Sequence, residues 1–166
     1  MNKITTPLSK EQIQKLNVGD TIEISGYIIT GRDAVLPKLV KLYEANRLNE
    51  YNIELEGSAI FHTAVSPAGI GPTSSNKVEI EESIPLLSKA GVKIHLGKGE
   101  LSEKTVNALE KYGSIYAVVA PVTALLQSTI KSQKVLAFKE EGMEALHLIE
   151  VEKFPAVVSI AHGKRI

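Results

Sequence analysis

The cations that could do chemistry in this chain sit in three short polar segments, each following an apolar run. They are Thr30-Gly31-Arg32-Asp33, Gly71-Pro72-Thr73-Ser74-Ser75-Asn76-Lys77 and Gly97-Lys98-Gly99. Arg32 offers a planar guanidinium fork that matches a carboxylate or phosphate, and Asp33 would cap the helix that follows. The hydroxyls of the second segment could cap the next helix or, with backbone N–H groups and Lys77, form an anion nest. Lys98 stands between two glycines, on backbone that can approach a ligand closely or form a plain exposed turn. Together the segments offer three cations and several hydroxyls, which suits a small molecule carrying more than one negative charge.

Other chemistries lack their residues. There is no cysteine, so a disulfide framework, a thiolate nucleophile and an iron–sulfur cluster held by this chain alone are excluded. His62, His95, His147 and His162 are dispersed without metal-ligand spacing and read as packed or surface residues. No Gly-x-Ser-x-Gly elbow, Walker loop or paired acid–base carboxylates are found. Nineteen basic residues balance nineteen acidic ones, which gives no general attraction for nucleic acid or an anionic membrane. No apolar run approaches the ~20 residues of a membrane span, and no apolar leader opens the chain. The reading is a soluble, cytoplasmic protein.

The elements that must position these residues alternate. Ser9-Lys10-Glu11-Gln12 reads as a capping box for a short helix, and Thr21 to Ile29 as a strand with a bulge at Gly26. Asp33 opens a helix through Tyr43, and Ser58–Val65 is a second strand. A helix from Lys77 to Lys89, kinked or split at Pro85, ends at Gly91. The strand Val92–Leu96, the helix Ser102–Tyr112 and the strand Ile115–Ala120 follow, then a helix near Pro121. Strands at Val135–Phe138 and Leu146–Val151 close the chain, with a further strand at Val157–Ile160 after Phe154-Pro155. The pattern is α/β with central βαβ units, and residues 1–166 read as one domain of 18.0 kDa with 43% hydrophobic residues.

The same segments, in order, resemble the β-type subunit or C-terminal domain of the iron–sulfur-dependent class I fumarase and L-tartrate dehydratase family. The likeness runs through Leu16-Asn17-Val18-Gly19-Asp20, Ile24-Ser25-Gly26, Gly31-Arg32-Asp33-Ala34, Gly71-Pro72-Thr73-Ser74 and Gly97-Lys98-Gly99. It ends with Gly142-Met143-Glu144-Ala145 and Ile149-Glu150-Val151-Glu152-Lys153-Phe154-Pro155-Ala156. This resemblance implies a swivelling β/β/α-type domain and a reversible hydro-lyase reaction on a C4 dicarboxylate. It also implies an α-type partner carrying a 4Fe–4S cluster, whose open iron is the Lewis acid for the hydroxyl that leaves or adds. By the same resemblance Thr73 is the catalytic base, and Arg32, Lys77 and Lys98 bind substrate carboxylates.

The departures are specific. Lys77 stands where the family has an arginine, which keeps the charge and loses the fork. Leu36 stands where the family has a histidine, and Pro121-Val122-Thr123-Ala124 replaces a Gly-Gly-Ala-Ala stretch. They imply a divergent substrate range. The alternative is a non-catalytic anion-binding or regulatory paralogue that kept the fold and some cations.

Overall fold

The computed structural model describes residues 2–65, 77–120 and 122–166, the first three residues of the helix starting at Lys77 by backbone alone. In chain order the elements are β1 (Asn2–Thr5), α1 (Lys10–Gln14), β2 (Thr21–Thr30), α2 (Leu36–Glu44), β3 (Ala59–Phe61) and α3 (Lys77–Lys89). Then come β4 (Ile94–Gly97), α4 (Glu103–Tyr112), β5 (Ile115–Val118), α5 (Thr123–Ser128), β6 (Ile130–Ala137), β7 (Leu146–Ala161) and β8 (Lys164–Arg165). Short 3-10 turns lie at Leu48–Tyr51 and Lys139–Glu144. No helix among the described residues is long and apolar enough to cross a membrane.

The α/β expectation holds, and the sheet adds closure. Strands β2, β3, β4 and β5 run parallel in that order, and β7 pairs antiparallel with both β2 and β5. The pairing therefore returns on itself through five strands. β1 extends it beside β2, β6 and β8 beside β7.

Alternation along the strands sorts the core into an inside and an outside, because successive side chains point to opposite faces. Ile24 and Ile28, Ala59 and Phe61, Ile94 and Leu96, Ile115 and Ala117, and Ile149, Val151 and Phe154 form the inner cluster. Phe61 meets Phe154 edge-on across it, with ring centroids 5.5 Å apart. Outward-facing Ile29 and Ile60 pack on Leu36 and Leu39 of α2 and on Ile80 and Leu87 of α3. Outward-facing Tyr116 and Ile160 pack on Ile84 of α3 and on Val106 and Leu109 of α4. The helices thus cover the face opposite the inner cluster.

Local chemistry sets several ends. Ser9 and Gln12 form the reciprocal capping box that starts α1, and Ser102 caps α4, which stops at Gly113 in the left-handed region. Gly26 borders the bulge of the β2–β7 pairing, and glycine is required there. Its φ is +103°, and a Cβ there would lie 2.5 Å from the Thr6 hydroxyl oxygen.

Three expectations are corrected. Asp33 is not the cap of α2: Val35 is, without a side-chain bond, and the Val35 and Leu36 N–H groups both donate to the Arg32 carbonyl. The later start places Pro37 in the first turn, where its missing N–H breaks no helical bond. Pro85 does not split α3, which runs as one helix from Lys77 to Lys89. The strands expected at Leu146–Val151 and Val157–Ile160 are one sixteen-residue strand, β7. Pro155 sits where the outer partner of β7 changes from β6 to β5, so its missing N–H falls in a gap between two ladders. The opposite edge keeps its pairing with β2 through a bulge at Glu152-Lys153, where the Lys153 N–H donates to the Ser25 hydroxyl.

Candidate active site at the carboxyl edge of the parallel strands

The parallel order of β2, β3 and β4 sends the segments of Arg32 and Lys98 out of the same edge. Backbone bonds tie the strand ends in a row. The Gly31 N–H donates to the Phe61 carbonyl, the His62 N–H to Leu96, and the Val119 N–H to Gly97. Arg32 follows β2, and Lys98 follows β4. Two strand spacings separate their strands, about 10 Å. Such an edge is where open α/β sheets take ligands, and the closed sheet here keeps that geometry among its parallel strands.

Arg32 is half-buried and held from the side. Its Nε–H donates to the Glu144 carboxylate, which arrives on the turn between β6 and β7. No bond within the described residues uses its two terminal nitrogens, so the fork is left for a ligand. The turn that carries Glu144 is itself anchored. Lys38 of α2 pairs with Glu141 at 2.8 Å, lies over the Phe138 ring, and the Val65 N–H donates to the Met143 carbonyl. Lys98 is exposed, and its ammonium makes no ion pair with any described residue. Beneath it, the buried Tyr116 hydroxyl donates to the Lys98 carbonyl at 2.9 Å.

Thr73 lies outside the described residues, as do Gly71, Pro72 and Pro121. Lys77 is the first residue of α3, and its backbone alone is described. In chain order Thr73 follows β3, which pairs with the strands that precede Arg32 and Lys98. Leu36 is fully buried in the cluster between the sheet and α2.

Behind the edge, between the sheet and α3, lie His62, His95 and Tyr116. The His62 ring centroid is 6.2 Å from that of His95 and 6.5 Å from that of Tyr116. Ser88 of α3 bonds His95 Nε2 at 2.8 Å. The reading of these histidines as packed residues holds for His62, His95 and His147, all buried. Burial pushes the His62 imidazole down to about 4 and that of His95 well below its ordinary 6.5. Both are therefore neutral in the folded chain near pH 7, whereas the unfolded chain binds their protons below about 6.5. The stability that burial of neutral imidazole supplies is complete above pH 6.5 and is lost as pH falls towards 4. Thermal denaturation between pH 7.5 and 4 is expected to show a falling Tm across that window. His62→Gln should flatten the slope, with His95 supplying the remainder. An unchanged slope in that variant would contradict this assignment.

The described residues do not fit an iron–sulfur cluster. The sequence has no cysteine, and among the described residues no three His, Asp or Glu side chains gather closely enough to hold a metal ion.

Two residues of the edge escaped sequence reasoning. Glu144 lay within a segment noted for its resemblance, but its 112-residue separation from Arg32 hid the pairing. Tyr116 lay inside an apolar strand, and its only signal was a hydroxyl in an otherwise apolar run.

The chain is 31% identical to the anaerobic class I fumarate hydratase of Escherichia coli K12, over 90% of this chain and 28% of that protein. It is 29% identical to the aerobic class I fumarate hydratase of the same strain, again over 90% and 28%. To the L(+)-tartrate dehydratase subunit beta of that strain it is 31% identical, over 100% of this chain and 87% of that subunit. The chain thus spans less than a third of the fumarate hydratases and nearly all of the tartrate dehydratase subunit. The family described as Fumarase C-terminus matches residues 2–166, and the chain belongs to it.

Proposed function

We propose that this chain is the cytoplasmic β-type subunit of a heteromeric hydro-lyase, a single domain over residues 1–166. Its substrate is a C4 dicarboxylate of the fumarate/malate or tartrate/oxaloacetate type. The observation that carries this reading is the edge itself, where the fork of Arg32 and the ammonium of Lys98, neither with a partner among the described residues, follow parallel strands on either side of β3. Two separated cations suit two carboxylates. Arg32 takes one carboxylate through two parallel N–H bonds, and Lys98 and Lys77 place the rest of the diacid. Thr73 holds or removes the proton on the carbon next to a carboxylate. A threonine hydroxyl is a weak base in water, and the three cations supply the positive potential that favours its ionised form. The other half of the site, including the 4Fe–4S cluster, belongs to an α-type partner. The cysteine-free sequence and the tartrate dehydratase relative, named as a beta subunit, support that division.

The test is expression of the chain alone and with an α-type partner, followed by anaerobic reconstitution. Alone, the chain is expected to fold, retain no iron and turn over no diacid. The complex is expected to hydrate or dehydrate at least one of fumarate, L-malate and L-tartrate. Stoichiometric iron and sulfide on the single chain would sink the division of labour. A complex that holds its cluster and turns over none of these acids would favour the non-catalytic anion-binding subunit.

A further inference from the structure

We infer that Tyr116 is a positioning residue, whose hydroxyl fixes the Gly97-Lys98-Gly99 turn and so aims Lys98 at a substrate carboxylate. This rests on the reading of Lys98 as a carboxylate ligand given above. A lysine between two glycines has unusual backbone freedom, and Gly99 stands at φ +81°, where side chains are strained. Such a turn delivers a charge to one place only if something holds it. The Lys98 ammonium itself has no partner among the described residues, so the hold must act on the backbone.

Tyr116 supplies it. Its ring is 1% exposed, packed between β5 and the helices, and its hydroxyl donates to the Lys98 carbonyl. Gly97 lies against the same hydroxyl. A Cβ at Gly97 would come within 2.9 Å of the Tyr116 oxygen and 3.1 Å of His62 Nδ1, so the turn is seated on this pair. Burial and the nearby negative charge of Glu81 raise the hydroxyl pKa above its ordinary value. The group therefore stays a donor throughout the working pH range. Packing alone would be served by phenylalanine. The hydroxyl is the part that reaches Lys98.

The experiment is a double-mutant cycle in the reconstituted complex, with the diacid that it turns over as probe. Tyr116→Phe is expected to raise KM about three- to tenfold, the effect of one lost neutral hydrogen bond, with kcat within twofold and an unchanged circular dichroism spectrum. In a Lys98→Ala background the same change should have no further effect on KM. Gly97→Ala, which sets a methyl group against the hydroxyl, should raise KM likewise and lose its effect in that background. A KM effect that persists in full without Lys98 would overturn the inference, since Tyr116 would then act elsewhere. So would a wild-type KM in both Tyr116→Phe and Gly97→Ala. If Lys98→Ala itself leaves KM and kcat untouched, the carboxylate reading of Lys98 falls and takes the inference with it.

Discussion

Thr73→Ala in the reconstituted complex is expected to lower kcat by about 10²–10⁴, the range for a lost acid–base group, while KM changes much less. The argument is electrostatic. A hydroxyl becomes a useful base only where positive charge stabilises its anion, and in chain order Thr73 follows β3, which pairs with the strands that precede Arg32 and Lys98. Thr73→Ser keeps the hydroxyl and should keep a substantial part of kcat. Steady-state kinetics on the preferred diacid decides the matter. A near-normal kcat in Thr73→Ala would return this residue to the role of a helix cap before α3.

Arg32→Ala should cost roughly 10²-fold or more in kcat/KM. Two charged hydrogen bonds to one carboxylate are lost together, at about 1.5–3 kcal/mol each. Arg32→Lys should rescue little, because a point charge cannot replace a planar fork already gripped at Nε by Glu144. Lys77→Arg probes the opposite change. If Lys77 simply substitutes for the family's arginine, activity on fumarate or malate is preserved or raised. If the site has been retuned, preference shifts between acids. Unchanged kcat/KM in Arg32→Ala and Lys77→Arg for every diacid would dissolve the clamp.

What could be read ahead of the structure was whatever is decided within a few residues. The Ser9 box is a local device that stands where its sequence pattern places it, and the irregularity expected at Gly26 falls beside it, between Ile24 and Gly26. The shared edge of Arg32 and Lys98 was legible too, because alternating strands and helices imply a parallel sheet with its loops on one side. The rest depends on partners distant in sequence. β1 has one buried residue in four, which gives no periodicity to detect, and exists because β2 offers it a ladder. Pro155 looks like a strand breaker until the change of neighbour along β7 makes its missing N–H harmless. Asp33 has the right residue type for a cap, but Pro37 fixes where the first turn can begin, and that turn starts later. Glu144 and Tyr116 gained meaning only when folding brought them to Arg32 and Lys98.

The return of β7 to β2 also bears on how the chain reaches its fold. Residues 21–30 pair with residues 147–157, so the step that completes the inner cluster joins segments more than a hundred residues apart. The entropy of closing so long a loop must be met before Phe154 finds Phe61, and local helices give no help in crossing that distance. Closure is therefore the non-local, slow part of folding. The parallel strands between them can assemble around α3 and α4, but their inner apolar face has no lid until β7 arrives. A ribosome delivers β7 after the parallel strands, and until then Ile24, Ile28 and Phe61 face solvent or a chaperone.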